Sequence, residues 1–199
     1  LSNQIVRDFE FQAGVYFKNS FLMNLYKITI HMNVETENIK EQNIAMERLK
    51  FFLNECLDSS VFIENSEKKV IEKFINAGIQ PCILPEEPYD QIVTLMLLTK
   101  LNAITENRLV VTNITLGSRL SDNVKFTYDI DCPLGPFSES GWWSAPNTSL
   151  FDLPKAYKID KVVKLVKYNT INWEDCNLTW DEPIANTKTE IVFTNDQEK

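Results

Sequence analysis

The sequence predicts an α/β or α+β fold, a mixed sheet of about five strands covered by three helices, with an irregular Trp/Pro-rich C-terminal extension. Three observations lead there. Segments of two-residue hydrophobic alternation are interleaved with segments of helical period from Tyr26 to Ile130. The order reads strand, helix, strand, helix, strand, helix, strand, strand. After Asp131 the texture changes, because five of the eight prolines and all four tryptophans lie beyond that point.

Each element has its own warrant. In "NLYKITIHMNVET", Tyr26, Ile28, Ile30 and Met32 share one face while Lys27, Thr29, His31 and Asn33 share the other, which is a half-buried strand. In "NIKEQNIAMERLKFFLNECLD", Met46, Leu49, Leu53 and Cys56 fall on one helical face opposite Lys40, Glu47 and Lys50. "SSVFIEN" reads as a short strand. Ser66 is placed to cap the next helix, "EKKVIEKFINAG", and Gly78 supplies its left-handed end. "IQPCILP" is a strand whose Pro81 suits a sheet edge. The helix through "YDQIVTLMLLTKLNAITE" is apolar on most sides and belongs in the centre. "RLVVTNITL" and "NVKFTYDI" form a hairpin through "GSRLSD".

These assignments divide the chain into an N-terminal extension over 1–24, a core over 25–131 and a C-terminal extension over 132–199 that packs on the core. Met23 directly precedes the first alternating strand, so a translation start there would leave residues 1–22 upstream of the coding sequence.

Composition excludes several functions. A net charge of -8 argues against coating nucleic acid or an anionic membrane. No apolar run reaches the roughly 18–20 residues of a membrane span. Cys56, Cys82, Cys132 and Cys176 are widely spaced and His31 is the single histidine, so neither a zinc site nor a histidine-based triad is supported. The five glycines form no phosphate-cradling loop. Scattered cysteines without a leader pattern indicate reduced thiols and a cytoplasmic setting.

Three constellations remain. Phe137, Trp142 and Trp143 in "GPFSESGWWSAPNTS", with Trp173 and Trp180 in "NWEDCNLTWDEP", offer large rigid surfaces of the kind that anchor a protein partner or a second copy. The seven-residue spacing of Trp173 and Trp180 would set both indoles on one helical side. The competing reading is that all these rings plug the protein's own core. Glu86, Glu87 and Asp90, with Asp129 and Asp131, are the acids that could converge on Mg²⁺ in a hydrolase, although helix-start acids and a solvated strand face account for them equally. Lys155, Lys158, Lys161, Lys164 and Lys167 form the one basic run, a weak basis for single-stranded nucleic-acid binding without an aromatic ladder.

The stretches "YKITIHMNVETENIKEQNIAMERLKFFL" and "LPEEPYDQIVTLMLLTKLNAITENRLVVTNI" resemble uncharacterised small proteins encoded by tailed bacteriophages. The resemblance covers residues 25–131 and implies a protein of the host cytoplasm, with no activity and no functional residue attached. The expectation is therefore a non-enzymatic protein-interaction protein without a cofactor, with the Mg²⁺-dependent hydrolase and the nucleic-acid binder as alternatives.

Overall fold

A computed structural model describes residues 4–152 and 171–180. Six strands form one mixed sheet: β1 (Gln4–Phe17), β2 (Ser20–Val34), β3 (Val61–Glu64), β4 (Pro81–Leu84), β5 (Leu109–Ser118) and β6 (Lys125–Asp129). Their order is β4-β3-β1-β2-β5-β6. Helices α1 (Ile39–Phe51), α2 (Lys68–Asn76) and α3 (Asp90–Thr105) pack on it, and α1 continues into a π-helical turn at Phe52–Leu57. The expected mixed sheet with three helices is thus the fold. The expected elements from Tyr26 onward are all present.

The sixth strand comes from residues that sequence patterning leaves outside the core. Residues 4–17 are the centre of the sheet, paired antiparallel with β2 along their whole length and parallel with β3 at Gly14 and Val15. The hairpin turns through Lys18 and Asn19, both in the left-handed region at φ 48° and 61°. Two consecutive positive φ values match the right-handed twist of the flanking strands.

This register assigns the faces. Phe11 lies across from Tyr26 and Phe9 across from Ile28, so odd residues of β1 and even residues of β2 share the face that α1 and α3 cover. Phe11 stacks on Tyr26 at 5.0 Å, and Phe62 meets both rings edge-on. On the other face, Asp8, Glu10, Lys27, Thr29, Thr115 and Lys125 line an open groove of about 490 Å³. Its groups satisfy one another, with Thr29 Oγ1 donating to Asp8 at 2.6 Å and Lys27 paired with Glu10 at 3.8 Å. That region is a solvated sheet face.

Helix α2 covers the opposite face only near β3 and β4, where Phe74 meets Tyr16 and Phe21. Gly14 makes this approach possible, because a Cβ there would stand 2.6 Å from the Phe21 ring. Ser66 does not cap α2: the N-cap is Glu67 and no side chain caps it, the chain tightening instead through Lys68 N–H donating to the Ser66 carbonyl at 2.9 Å. Asn38 caps α1 with its side chain, and Gly78 ends α2 at φ 78° as expected. Pro81 stands on β4, the edge strand.

Replacing Phe11 with alanine is expected to lower the unfolding free energy by about 3–5 kcal/mol, because a buried ring is lost from the centre of the core. Urea denaturation checks this. A change below about 0.5 kcal/mol, as for an exposed surface position, would mean that residues 4–17 lie outside the core.

Candidate functional site

The tryptophan-rich extension is where the sequence drew attention, and two buried cations decide its conformation. Lys100 projects from α3 with no exposed surface. Its ammonium donates to the carbonyls of Trp142 at 2.8 Å and Ala145 at 2.9 Å, and to Asn147 Oδ1 at 3.4 Å. Burial pulls the Lys100 pKa down to about 7, with the nearby Cys56, Cys82 and Asp152 opposing it. Three oxygen acceptors also favour the charged form.

Held this way, the extension seals the sheet edge. Trp142 Nε1–H donates to the Ile83 carbonyl at 2.8 Å, while Ile83 N–H donates to the Leu150 carbonyl at 3.0 Å. Both outward groups of that β4 residue are therefore paired, which removes an edge from competition with other chains. Trp143 folds back over Gly141, where a Cβ would lie 2.5 Å from its ring, and meets Phe137 edge-on at 5.2 Å. Phe137, Trp142 and Trp143 are buried in the core cluster.

Trp173 and Trp180 converge on the second cation. Arg48, also buried, lies 4.7 Å from the Trp173 ring and 3.8 Å from the Trp180 ring. It donates to the carbonyls of Leu178 at 2.7 Å and Ile104 at 3.1 Å, and pairs with Glu106 at 2.8 Å. The expected helical spacing of these two indoles is not what unites them. Only Trp173–Cys176 forms a 3₁₀ turn, and Asn177 reverses the chain at φ 56°. The five aromatic candidates thus face the protein's own core, Trp180 at its margin.

The carboxylate constellation is corrected too. Asp129 sits on β6 opposite Asn113 on the open face, and its carboxylate accepts from Asp131 N–H at 3.1 Å. Asp90 belongs to the helix-covered side, bonded to Ser121. Glu87 holds the neighbouring Tyr89 phenol above its ordinary pKa. Among the described residues no three His, Cys, Asp or Glu side chains meet to hold a metal. Lys155, Lys158, Lys161, Lys164 and Lys167 lie outside the described residues.

A different site stands at the hairpin end. Strand β2 pairs with β5 only from Tyr26 onward, so residues 20–25 are paired with β1 alone among the described residues. There the start of α3, the hairpin and the turn after β5 surround a cleft of about 290 Å³. Phe17, Leu22, Tyr89 and Leu120 supply apolar walls, with Phe17 and Tyr89 edge-on at 5.2 Å. Asp90 is 7% exposed, and its Oδ2 accepts from Ser121 Oγ at 2.6 Å. No ion pair to Asp90 occurs among the described residues.

Tyr26 lines the same cleft with its ring fully buried, and its hydroxyl has no partner in hydrogen-bonding geometry among the described residues. The Asn24 oxygen beside it is taken by Leu120 N–H at 3.0 Å. Burial pushes the Tyr26 phenol well above its ordinary range, Asn24 offsetting this only in part, and the Asp90 charge adds to the rise. The hydroxyl therefore keeps its proton.

Sequence reasoning named Asp90 for metal binding and missed Tyr26, Lys100 and Arg48 as polar groups of consequence. Lys100 left one signal, a single cation inside an otherwise apolar helix. Compared with known proteins, the chain matches no family model and no curated protein. No helix among the described residues is long and apolar enough to cross a membrane.

Trp142→Ala should cost about 3–5 kcal/mol of stability, measured by denaturant unfolding, since it empties a core site and orphans the Ile83 carbonyl. Lys100 gives a pH signature. Its pKa falls from 10.5 to about 7 on folding, so above pH 7 the unfolded chain binds more protons than the folded one. Stability should therefore rise from pH 7 to about 8.5, by up to about 1.4 kcal/mol per pH unit, before the burial-raised Cys82 and Tyr26 begin to oppose it. Unfolding curves across that range should flatten in Lys100→Met, and an unchanged slope would show that the lysine stays charged.

Proposed function

We propose that this protein acts by binding another protein, without catalysis, and that its recognition surface is the unpaired end of β2 with the apolar rim of the adjoining cleft. The observation that carries this reading is exposure. Phe21 and Met23 are 49% and 55% exposed on one face of β2, and Leu22 is 51% exposed on the other, where half-exposed Tyr89 and Leu120 also line the cleft. Phe21, Leu22 and Met23 occupy a stretch of β2 that has no strand on its outer side among the described residues. Exposed sheet edges are ordinarily blunted by charge or proline, and residues 20–25, Ser-Phe-Leu-Met-Asn-Leu, contain neither.

Such an edge is suited to strand addition, in which an extended partner segment supplies the missing main-chain hydrogen bonds while alternate side chains enter pockets. The partner surface thus moves from the expected tryptophans, which the core occupies, to the hairpin end. A hydrolytic reading lacks support because its carboxylates stand apart. The resemblance to phage-encoded proteins would place the partner in a host cytoplasm.

The test pairs a binding measurement with amide exchange. Partners captured on the immobilised chain would be purified and titrated against it alone. Binding is expected to slow exchange at residues 20–25. Leu22→Lys with Met23→Lys should weaken it by about 100-fold while leaving the melting temperature within a few degrees, as surface substitutions do. Protection elsewhere, or full affinity in the double variant, would overturn the assignment. Protection that depends on the chain's own concentration would identify the partner as a second copy.

A further inference from the structure

We propose that the cleft beside the hairpin end receives an organic cation, an ammonium or guanidinium group on an apolar stem, with Asp90 as its counter-ion. This rests on the reading of the hairpin end as the recognition surface, and it names the group that a bound partner strand would insert.

Three observations converge on that chemistry. The first is the Asp90 carboxylate, buried at one end of the cleft with a single neutral hydroxyl donor, Ser121 Oγ, among the described contacts. A carboxylate offers about four acceptor positions, so it retains capacity for a charged donor. The second is the Tyr26 hydroxyl of the cleft lining, buried and without a hydrogen-bond partner among the described residues. An uncompensated buried polar group in the cleft lining gains by a ligand that brings it a hydrogen-bond partner.

The third is the aromatic mouth. Phe17 and Tyr89 present ring faces and edges to a volume of about 290 Å³, enough for a short alkyl chain with its head group. The Phe17 ring accepts a cation elsewhere on its surface, since Lys18 Nζ lies 4.8 Å from its centroid. An anionic ligand would meet Asp90, and a wholly apolar one would strand both buried polar groups. The net charge of -8 favours the approach of a cation over long range.

The experiment is an NMR titration of the full chain with n-butylammonium and n-butylguanidinium, with butanol and butyrate as neutral and anionic counterparts. The cations are expected to give saturable shifts confined to amides around residues 17–26, 88–91 and 119–122, with butanol weaker by about tenfold and butyrate silent. Asp90→Asn keeps the shape and the acceptor for Ser121, and should reduce cation binding to the level of butanol. Tyr89→Leu, at an exposed position safe for folding, should weaken the cations more than the alcohol. Equal binding of butanol and butylammonium, shifts elsewhere, or no saturation overturns the proposal.

A strand peptide carrying one lysine that binds at least tenfold tighter than butylammonium assigns the cleft to a partner side chain, and equal affinity assigns it to a free amine. The titration needs no partner protein. Its failure leaves strand addition standing, and loss of strand addition leaves the cation site standing.

Discussion

Everything in this fold refers back to the register of one hairpin. Strands β1 and β2 pair without interruption from the Phe17 and Ser20 pair to the Gln4 and Asn33 pair. Because side chains alternate with a period of two, that register decides at a stroke which residues face α1 and α3 and which face solvent. A slip of one position would turn Tyr26, Ile28, Ile30 and Met32 to the open face and bring Lys27, Thr29 and His31 into the core. The parallel strands β3 and β4 and the antiparallel strands β5 and β6 add to the two sides of this hairpin and inherit its faces.

The hairpin leaves two loose ends, and the protein treats them differently. At the β4 edge the chain closes on itself, using an irregular segment that has no regular secondary structure to satisfy its carbonyls. Lys100 and Arg48 take that role, each donating to several backbone oxygens while stacking near indole rings. Burying a charge is costly, and it is tolerated where hydrogen bonds saturate the group. The cost explains why burial pulls both cations toward their neutral forms. In return, two segments far apart in the chain acquire one defined position on the core.

At the other end nothing comparable happens. Strand β5 leaves β2 after Ser118, and the turn at residues 119–124 touches the hairpin through the Asn24 side chain without extending the sheet. The result is a short uncharged edge, a small aromatic cleft and a buried carboxylate beneath it. The aromatic surface that the sequence displays most loudly is internal. The apolar surface left exposed includes the quieter run of Phe21, Leu22 and Met23.

Alternation and helical period were strong enough to identify the strands from Tyr26 onward, the three helices, the edge position of Pro81 and the αL end at Gly78. They act over a few residues, and local pattern is enough to read them. The same pattern is blurred in β1, where Arg7 falls on the inner face and Val6 and Tyr16 on the outer one, so its central place emerges only from pairing with strands on both sides. Asp90 could be singled out in the sequence as an acid at a helix start, but its neighbours Tyr26 and Ser121 come from other strands and turns. The sequence by itself determined the local elements and the class of fold. Which face each tryptophan meets, which cations are buried and where the sheet stays open depend on contacts between residues tens of positions apart, and only tertiary structure brings those together.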